Sequence, residues 1–448
     1  MISNAFPISH TVDPIIYVLL SEKLQGAPLL PGLETIELHA VPQHFDWHTF
    51  PLLLASSSLR TIKVADSALD NPWFYQFGLP LLVSRSSPTL RKLSFHHDSA
   101  TVQASLWKVV PSFTRLEELE IRLPQSTNMP ADLLFQIGRG MDRLGHLALD
   151  VHLPHHVMSP DGLITPNLAD EAGEKENMSP KARMFDTLKT LDLVNRMETS
   201  LCQCFSIPSL IQHVTFLTLH HTAENTLDSI PQISEHLAKY SSLRTLEITH
   251  PKDVEITIYL DHVVSIVSQC QRLEELILNG VTQISRRGEE TAQQLLERIL
   301  TASRSPTRTG LRKLQLPKFK DVGQLALADL ANLVMHEAPQ LEYLEVSMHS
   351  GIGDQGLPLP SYDAACGRER RSPSKLAWLR INDERDEQTH PFGPKQYEQI
   401  ARFLDACFPE LRRVEPIAVM PEWLVPHWEL MAHLREVYRA NRLLTSFD

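Results

Sequence analysis

The sequence predicts an α/β solenoid, a horseshoe of strand-plus-helix units with a parallel strand ladder on the concave face and helices outside. Three observations predict it. A six-residue apolar cassette recurs along the chain, helical periodicity fills the gaps between its copies, and 448 residues exceed the usual span of one compact domain.

The cassette reads Leu-x-x-Leu-x-Leu with apolar replacements. It begins at Leu33, Leu59, Leu90, Leu116, Leu144, Leu188, Val214, Leu243, Leu273, Leu311, Leu341 and Leu376. A thirteenth copy at Leu411 (LRRVEP) loses its last apolar position. Most starts lie 26 to 38 residues apart, with one gap of 44. Positions four and six alternate with polar neighbours, as in a short strand with one buried face. Each unit then buries its leucines against the next. Helices are expected over Ala131–Met141, Ile230–Tyr240, His262–Cys270, Glu289–Ser303 and Lys395–Cys407. In the fourth of these, Leu295, Leu296 and Ile299 share a face.

This pattern is that of a leucine-rich-repeat solenoid. Leu341–Leu357 (LEYLEVSMHSGIGDQGL) resembles the cysteine-containing repeat, with His349 at the Cys position and Gly353 at the Thr position. On these motifs the chain is similar to F-box/leucine-rich-repeat proteins of the fungal type. That resemblance implies an intracellular, protein-binding substrate receptor of cullin–RING (SCF) ubiquitin ligases. No F-box motif is legible in residues 1–32, so contact with cullin–RING subunits would require an F-box upstream. The usual Asn/Cys ladder position, third after each cassette, holds unlike residues: among them Ser67, Asp98, Pro124, Phe319, His349 and Glu384. The turns are therefore expected to be irregular.

The expected organisation is an N-terminal cap over 1–32, the repeat array over 33–416, and a C-terminal cap helix within 417–448. Trp428, Met431, Leu434 and Tyr438 would share that helix's inner face. Polar, Pro-bearing insertions are expected at about 154–183 and 350–374. The first holds Lys175–Asn177 (KEN) and two Ser-Pro steps, at Ser159 and Ser179, which are read as ordinary loop.

A net charge of −12 opposes a nucleic-acid partner. No apolar run reaches membrane-spanning length, and five cysteines without a C-x-x-C pair suit a reducing compartment, cytoplasmic or nuclear. No cofactor or metal is expected, and no enzyme. Gly351–Gly356 (GIGDQG) matches a dinucleotide fingerprint, but Pro358 and Pro360 follow where a helix would have to open. His152, His155, His156, Cys202 and Cys204 lack structural-zinc spacing.

Binding residues are instead expected on the outward cassette positions, the third and fifth. The fifth-position column carries six acids in thirteen places against two bases, which predicts a protein partner with a basic segment. Its candidates are Glu120, Asp192, Glu247, Ile277, Glu345 and Arg380. From the third column come Glu118 and the aromatics Phe216, Tyr343 and Trp378, since rigid aromatic rings at polar-expected positions make good anchors.

Overall fold

The computed structural model describes residues 14–25, 27–39, 56–72, 74–98, 102–124, 129–130, 132–151, 184–195, 204–205, 207–221, 235, 237, 242–249, 257–279, 283–285, 291–304, 310–319, 325–351, 374–385, 392–417 and 420–445. The chain divides into two compact units, Met1–Ser229 with Tyr240–Ser242, and Ile230–Lys239 with Leu243–Asp448. Most of the expected helix at Ile230–Tyr240, most of both insertions, and the histidines 152, 155 and 156 with Cys202 lie outside the described residues.

The first unit opens with helix α1 (Pro14–Leu24) and then lays down seven parallel strands in chain order. They are β1 (Thr35–Leu38), β2 (Thr61–Ala65), β3 (Lys92–His96), β4 (Glu118–Leu123), β5 (His146–Val151), β6 (Thr190–Asn195) and β7 (Phe216–His221). Between them run α2 (Leu79–Ser86), α3 (Ala104–Val109), α4 (Leu133–Gly140) and the short α5 (Pro208–Ile211).

The second unit continues with β8 (Thr245–Thr249), β9 (Thr257–Tyr259), β10 (Glu275–Asn279), β11 (Gln283–Ser285), β12 (Lys313–Gln315), β13 (Lys318–Phe319), β14 (Tyr343–Met348), β15 (Trp378–Asp383) and β16 (Arg413–Pro416). Strands β8, β10, β12, β14, β15 and β16 pair in parallel in that order, while β9, β11 and β13 form a separate small parallel sheet. Helices α6 (Leu260–Gln269), α7 (Ala292–Ser303), α8 (Leu327–Glu337), α9 (Pro394–Cys407) and α10 (Val425–Thr445) complete it.

Every cassette forms a strand, the degenerate thirteenth included, and each strand starts at the cassette's third residue. The reason is a repeated backbone fork. Within each unit, the carbonyl of a second cassette residue accepts the amides of the second and third residues of the next cassette. In the first unit the acceptors are Glu34, Arg60, Arg91, Glu117, Gly145 and Lys189; in the second, Arg244, Glu274, Arg312, Glu342 and Ala377. Because the fork uses only main chain, it holds register whatever side chain sits there.

Equivalent positions therefore align across each ladder. Ile62, Leu93, Leu119, Leu147, Leu191 and Leu217 face one another at position four, as do Leu246, Leu276, Leu314, Leu344 and Leu379 in the second unit. All are buried, and burying each stabilises the fold by about 1.5–3 kcal/mol.

Local sequence explains the helix boundaries. Thr291 caps α7 by accepting the Gln294 amide at 3.3 Å, and the Thr291 amide in turn donates to Gln294 Oε1 at 2.9 Å. Pro394, after the Gly393 cap, opens α9. Leu295, Leu296 and Ile299 are buried as their spacing predicts.

The turns after the cassettes differ from one another. Ser67 sits in a 3-10 turn (Asp66–Ala68), Phe319 in β13, and His349 pairs with Ala326 by a parallel bridge. Gly351 donates its amide to His349 Nδ1 at 2.9 Å, and a Cβ there would fall 2.1 Å from the His349 ring. Close approach of backbone to an imidazole accounts for this glycine; residues 352–356 of the GIGDQG string lie outside the described residues.

Helix α10 packs on α9 and β16. Its buried side is Trp428, Met431 and Arg435, continued by Leu424 just before it, with Leu434 and Tyr438 only half-buried. The arginine replaces the leucine expected there, because Arg435 Nη1 donates to the Leu411 carbonyl at the start of the last cassette.

Candidate protein-binding face

Strand geometry sends positions three and five of each cassette, and the residue just after it, away from the leucine core. In the first unit these positions interact mainly with each other. Lys92 Nζ meets Glu118 Oε2 at 2.5 Å across β3 and β4, and Ser94 Oγ donates to Glu120 Oε2 at 2.9 Å. Arg122, two residues along β4, reaches Glu120 Oε1 at 2.5 Å and lies 4.0 Å from Asp192 Oδ2. Burial pushes the Glu120 carboxyl up, but the Ser94 and Arg122 bonds outweigh it and hold the group below the usual range.

The paired histidines after the cassettes also find acids there. His97 Nε2 sits 3.1 Å from Asp70 Oδ2, His96 Nε2 lies 3.6 Å from Asp98 Oδ1, and His220 Nε2 lies 2.9 Å from Asp192 Oδ1. No spacing rule assigned these carboxylates, because Asp70 and Asp192 come from neighbouring repeats. Phe216, the first unit's aromatic candidate, is half-buried on β7.

The second unit builds a different surface. Tyr343 on β14 and Trp378 on β15 are direct cross-strand partners, and their rings meet edge to face at 5.2 Å and 76°. Lys313 Nζ stands 5.1 Å from the tyrosine centroid, and Arg413 Cζ 5.2 Å from the tryptophan centroid. The third-position column thus runs cation, ring, ring, cation over four consecutive strands.

The fifth column braces it. The Tyr343 hydroxyl donates to Glu345 Oε2 at 2.9 Å, and Arg380 Nη1 donates to the same oxygen at 2.7 Å. Burial first, then Glu345 beside it, push the Tyr343 phenol up to about 12, against the pull of Arg380. Trp378 Nε1 and Arg380 Nε are enclosed donors with no acceptor among the described residues.

Two candidates are corrected by burial. Ile277 is in the core at 6% exposure, because Glu247 and Gln315 flank it and both bond to Asn279 two residues along β10, at 3.0 Å and 2.5 Å. Glu345 is likewise buried, its carboxylate held by Tyr343 and Arg380. The acidic column counted in the sequence is therefore mostly engaged internally. Glu120, Asp192, Glu247 and Glu345 each have a partner, so its free charge is smaller than its count.

No family model and no curated protein matches this chain. Among solved structures, the crystal structure of a Rad7 and Elc1 complex in yeast is similar at a TM-score of 0.34 and 16% identity, covering 86% of this chain and 87% of that chain. The functional reading rests on the strand face itself.

One polar cluster lies behind that face, and sequence reasoning missed it. Asp383, at the end of β15, is fully buried and accepts the amides of Ser350 (3.1 Å) and Arg385 (3.2 Å), the Ser350 hydroxyl, and Trp428 Nε1 of α10 (2.9 Å). Arg385, also buried, donates to the Ser350 carbonyl and to Gln396 Oε1 (2.9 Å) and stacks over Phe392 at 3.8 Å. These bonds satisfy the buried carboxylate and place this cluster in the structure rather than in chemistry.

The described cysteines 204, 270 and 407 are buried and form no disulfide among the described residues, and burial pushes Cys204 and Cys407 up to about 12, where thiols are unreactive. Among the described residues no helix is long and apolar enough to cross a membrane.

Proposed function

We propose that the chain is a protein-binding repeat module whose contact surface is the strand face of the second unit, serving as a substrate receptor of the cullin–RING type. The observation that carries the binding reading is the Tyr343–Trp378 pair. Two large rings occupy positions that the alternation reserves for polar side chains; Glu345 and Arg380 fix Tyr343, and Trp378 packs edge to face against it, before any partner arrives. A rigid aromatic anchor loses little entropy on binding.

The test is capture of partners from cell extract by the tagged full chain and by its Tyr343→Ala/Trp378→Ala variant. Capture of the specific partners should fall by about tenfold or more. The melting temperature should drop by no more than about 4 °C, since both rings are only half-buried. A large loss of stability with no selective loss of partners would reassign the pair to the core.

The receptor role is supported by the cassette resemblance. It predicts that cullin and its adaptor co-purify with the full-length protein, and their consistent absence would leave a stand-alone interaction scaffold.

A further inference from the structure

We infer that the row Lys313–Tyr343–Trp378–Arg413 is a docking site for an acidic, extended segment of a protein partner, an inference that rests on the binding reading above. The fifth-column count in the sequence pointed to a basic segment; the geometry of the second unit points to the opposite charge.

Most acids around the row are already engaged. Glu345 and Glu247 are engaged by Arg380 and Asn279, and Glu342 is clasped by Arg312 through three bonds of 2.8–3.0 Å. By contrast, Lys313 and Arg413 form no ion pair among the described residues; each lies only over a ring. Arg412, beside Arg413, is exposed as well. Glu275 lies across from Lys313 on β10, and Glu415 lies along β16 beside Arg380, so acidic groups bound the row without neutralising its cations by contact.

Spacing then sets the ligand's form. Four adjacent strands place the outer two members of the row about 14 Å apart, at 4.7–4.9 Å per step. An extended chain crossing the strands advances about 6.8 Å per two residues and shows residues i, i+2 and i+4 on one side. Carboxylates at i and i+4 would then reach Lys313 and Arg413, while an apolar residue at i+2 lies on the Tyr343–Trp378 pair. A nucleic-acid strand offers the same anions but would need a longer cationic track than these four strands carry.

The experiment uses the full chain and three fluorescein-labelled probes read by anisotropy. They are a Gly/Ser peptide bearing Glu-Ser-Leu-Ser-Glu, its counterpart with Lys at both Glu positions, and a ten-residue oligothymidylate. The acidic peptide should bind at least about tenfold tighter than the lysine peptide, and added salt should weaken it. Lys313→Glu with Arg413→Glu should reverse the preference; Lys313→Gln with Arg413→Gln should abolish it without altering the circular dichroism or melting temperature.

Equal or stronger binding of the lysine peptide, no response to charge reversal, tighter binding of the oligonucleotide, or no binding of the acidic peptide at millimolar concentration each overturns the inference. The binding reading fails separately. If partner capture is lost in the Tyr343/Trp378 variant but indifferent to charge reversal, the face stands and only its proposed occupant is wrong.

Discussion

Along the first unit the third-position column runs Thr35, Thr61, Lys92, Glu118, His146, Thr190 and Phe216; along the second it runs Thr245, Glu275, Lys313, Tyr343, Trp378 and Arg413. Both columns sit on the same backbone forks and the same buried leucines. The first pairs its charges across strands, while the second stacks rings and leaves cations at both ends. Architecture and recognition thus occupy different letters of one cassette: positions one, four and six fix the ladder, and positions three and five write the surface. A surface of this kind can change without a cost to the fold, provided the changed residues are not also structural.

That proviso gives the largest expected effect. Asp383 lies in the second unit's polar cluster, and Asp383→Ala removes the acceptor of four donors inside the protein. Denaturant titration should show a loss of about 3–5 kcal/mol, the cost of breaking a buried charge network. A loss below about 1 kcal/mol would mean that the cluster contributes little and that the two units are held alike. Trp428→Ala should also destabilise strongly, by about 3–5 kcal/mol, because it removes both a buried ring and one of those donors.

A middle-sized effect compares the units by alkaline titration. Tyr75, which donates to the Leu69 carbonyl in the first unit, is also pushed up to about 12, chiefly by burial. Both phenols have folded pKa values above the ordinary 10, so their contribution to stability is complete below pH 10 and is lost as pH rises toward 12. Ultraviolet titration should show Tyr343→Phe and Tyr75→Phe each removing a late-ionising component; an unchanged late phase in either variant breaks the symmetry.

At the acid end, Glu120 has a depressed pKa, so its contribution is present above the ordinary carboxylate range and disappears as pH falls through the lower folded value. Glu120→Gln should flatten the acid limb of a stability–pH curve slightly, and a steeper limb would contradict the assignment. The smallest effect is expected from Arg312→Ala. Its pair with Glu342 is exposed, and the melting temperature should not change measurably.

The parts of this molecule legible in the sequence were those with a period. Leucine spacing located the thirteen cassette strands, and the i, i+1, i+4 pattern found α7. The small β9–β11–β13 sheet escaped because strands of two or three residues are too short to alternate. The forks escaped because they are made of backbone. Ile277 looked like a surface anchor, since periodicity assigns its direction but not the Glu247–Asn279–Gln315 arch that flanks it. Asp383 and Trp428 are 45 residues apart, and no pattern joins a strand's last residue to a helix that follows the next repeat.

The bond from Trp428 to Asp383 also bears on how the chain's last helix opens. A terminal helix ordinarily frays, and its amides exchange with solvent far faster than those of the strands behind it. Releasing α10 would strip a donor from a carboxylate enclosed at the end of β15, so early opening of the helix would disturb the strand as well. The first turns of α10 and the residues of β15 should therefore exchange as one cooperative block, with matching protection against deuterium. In Trp428→Phe, which keeps the ring but not the donor, that block should split.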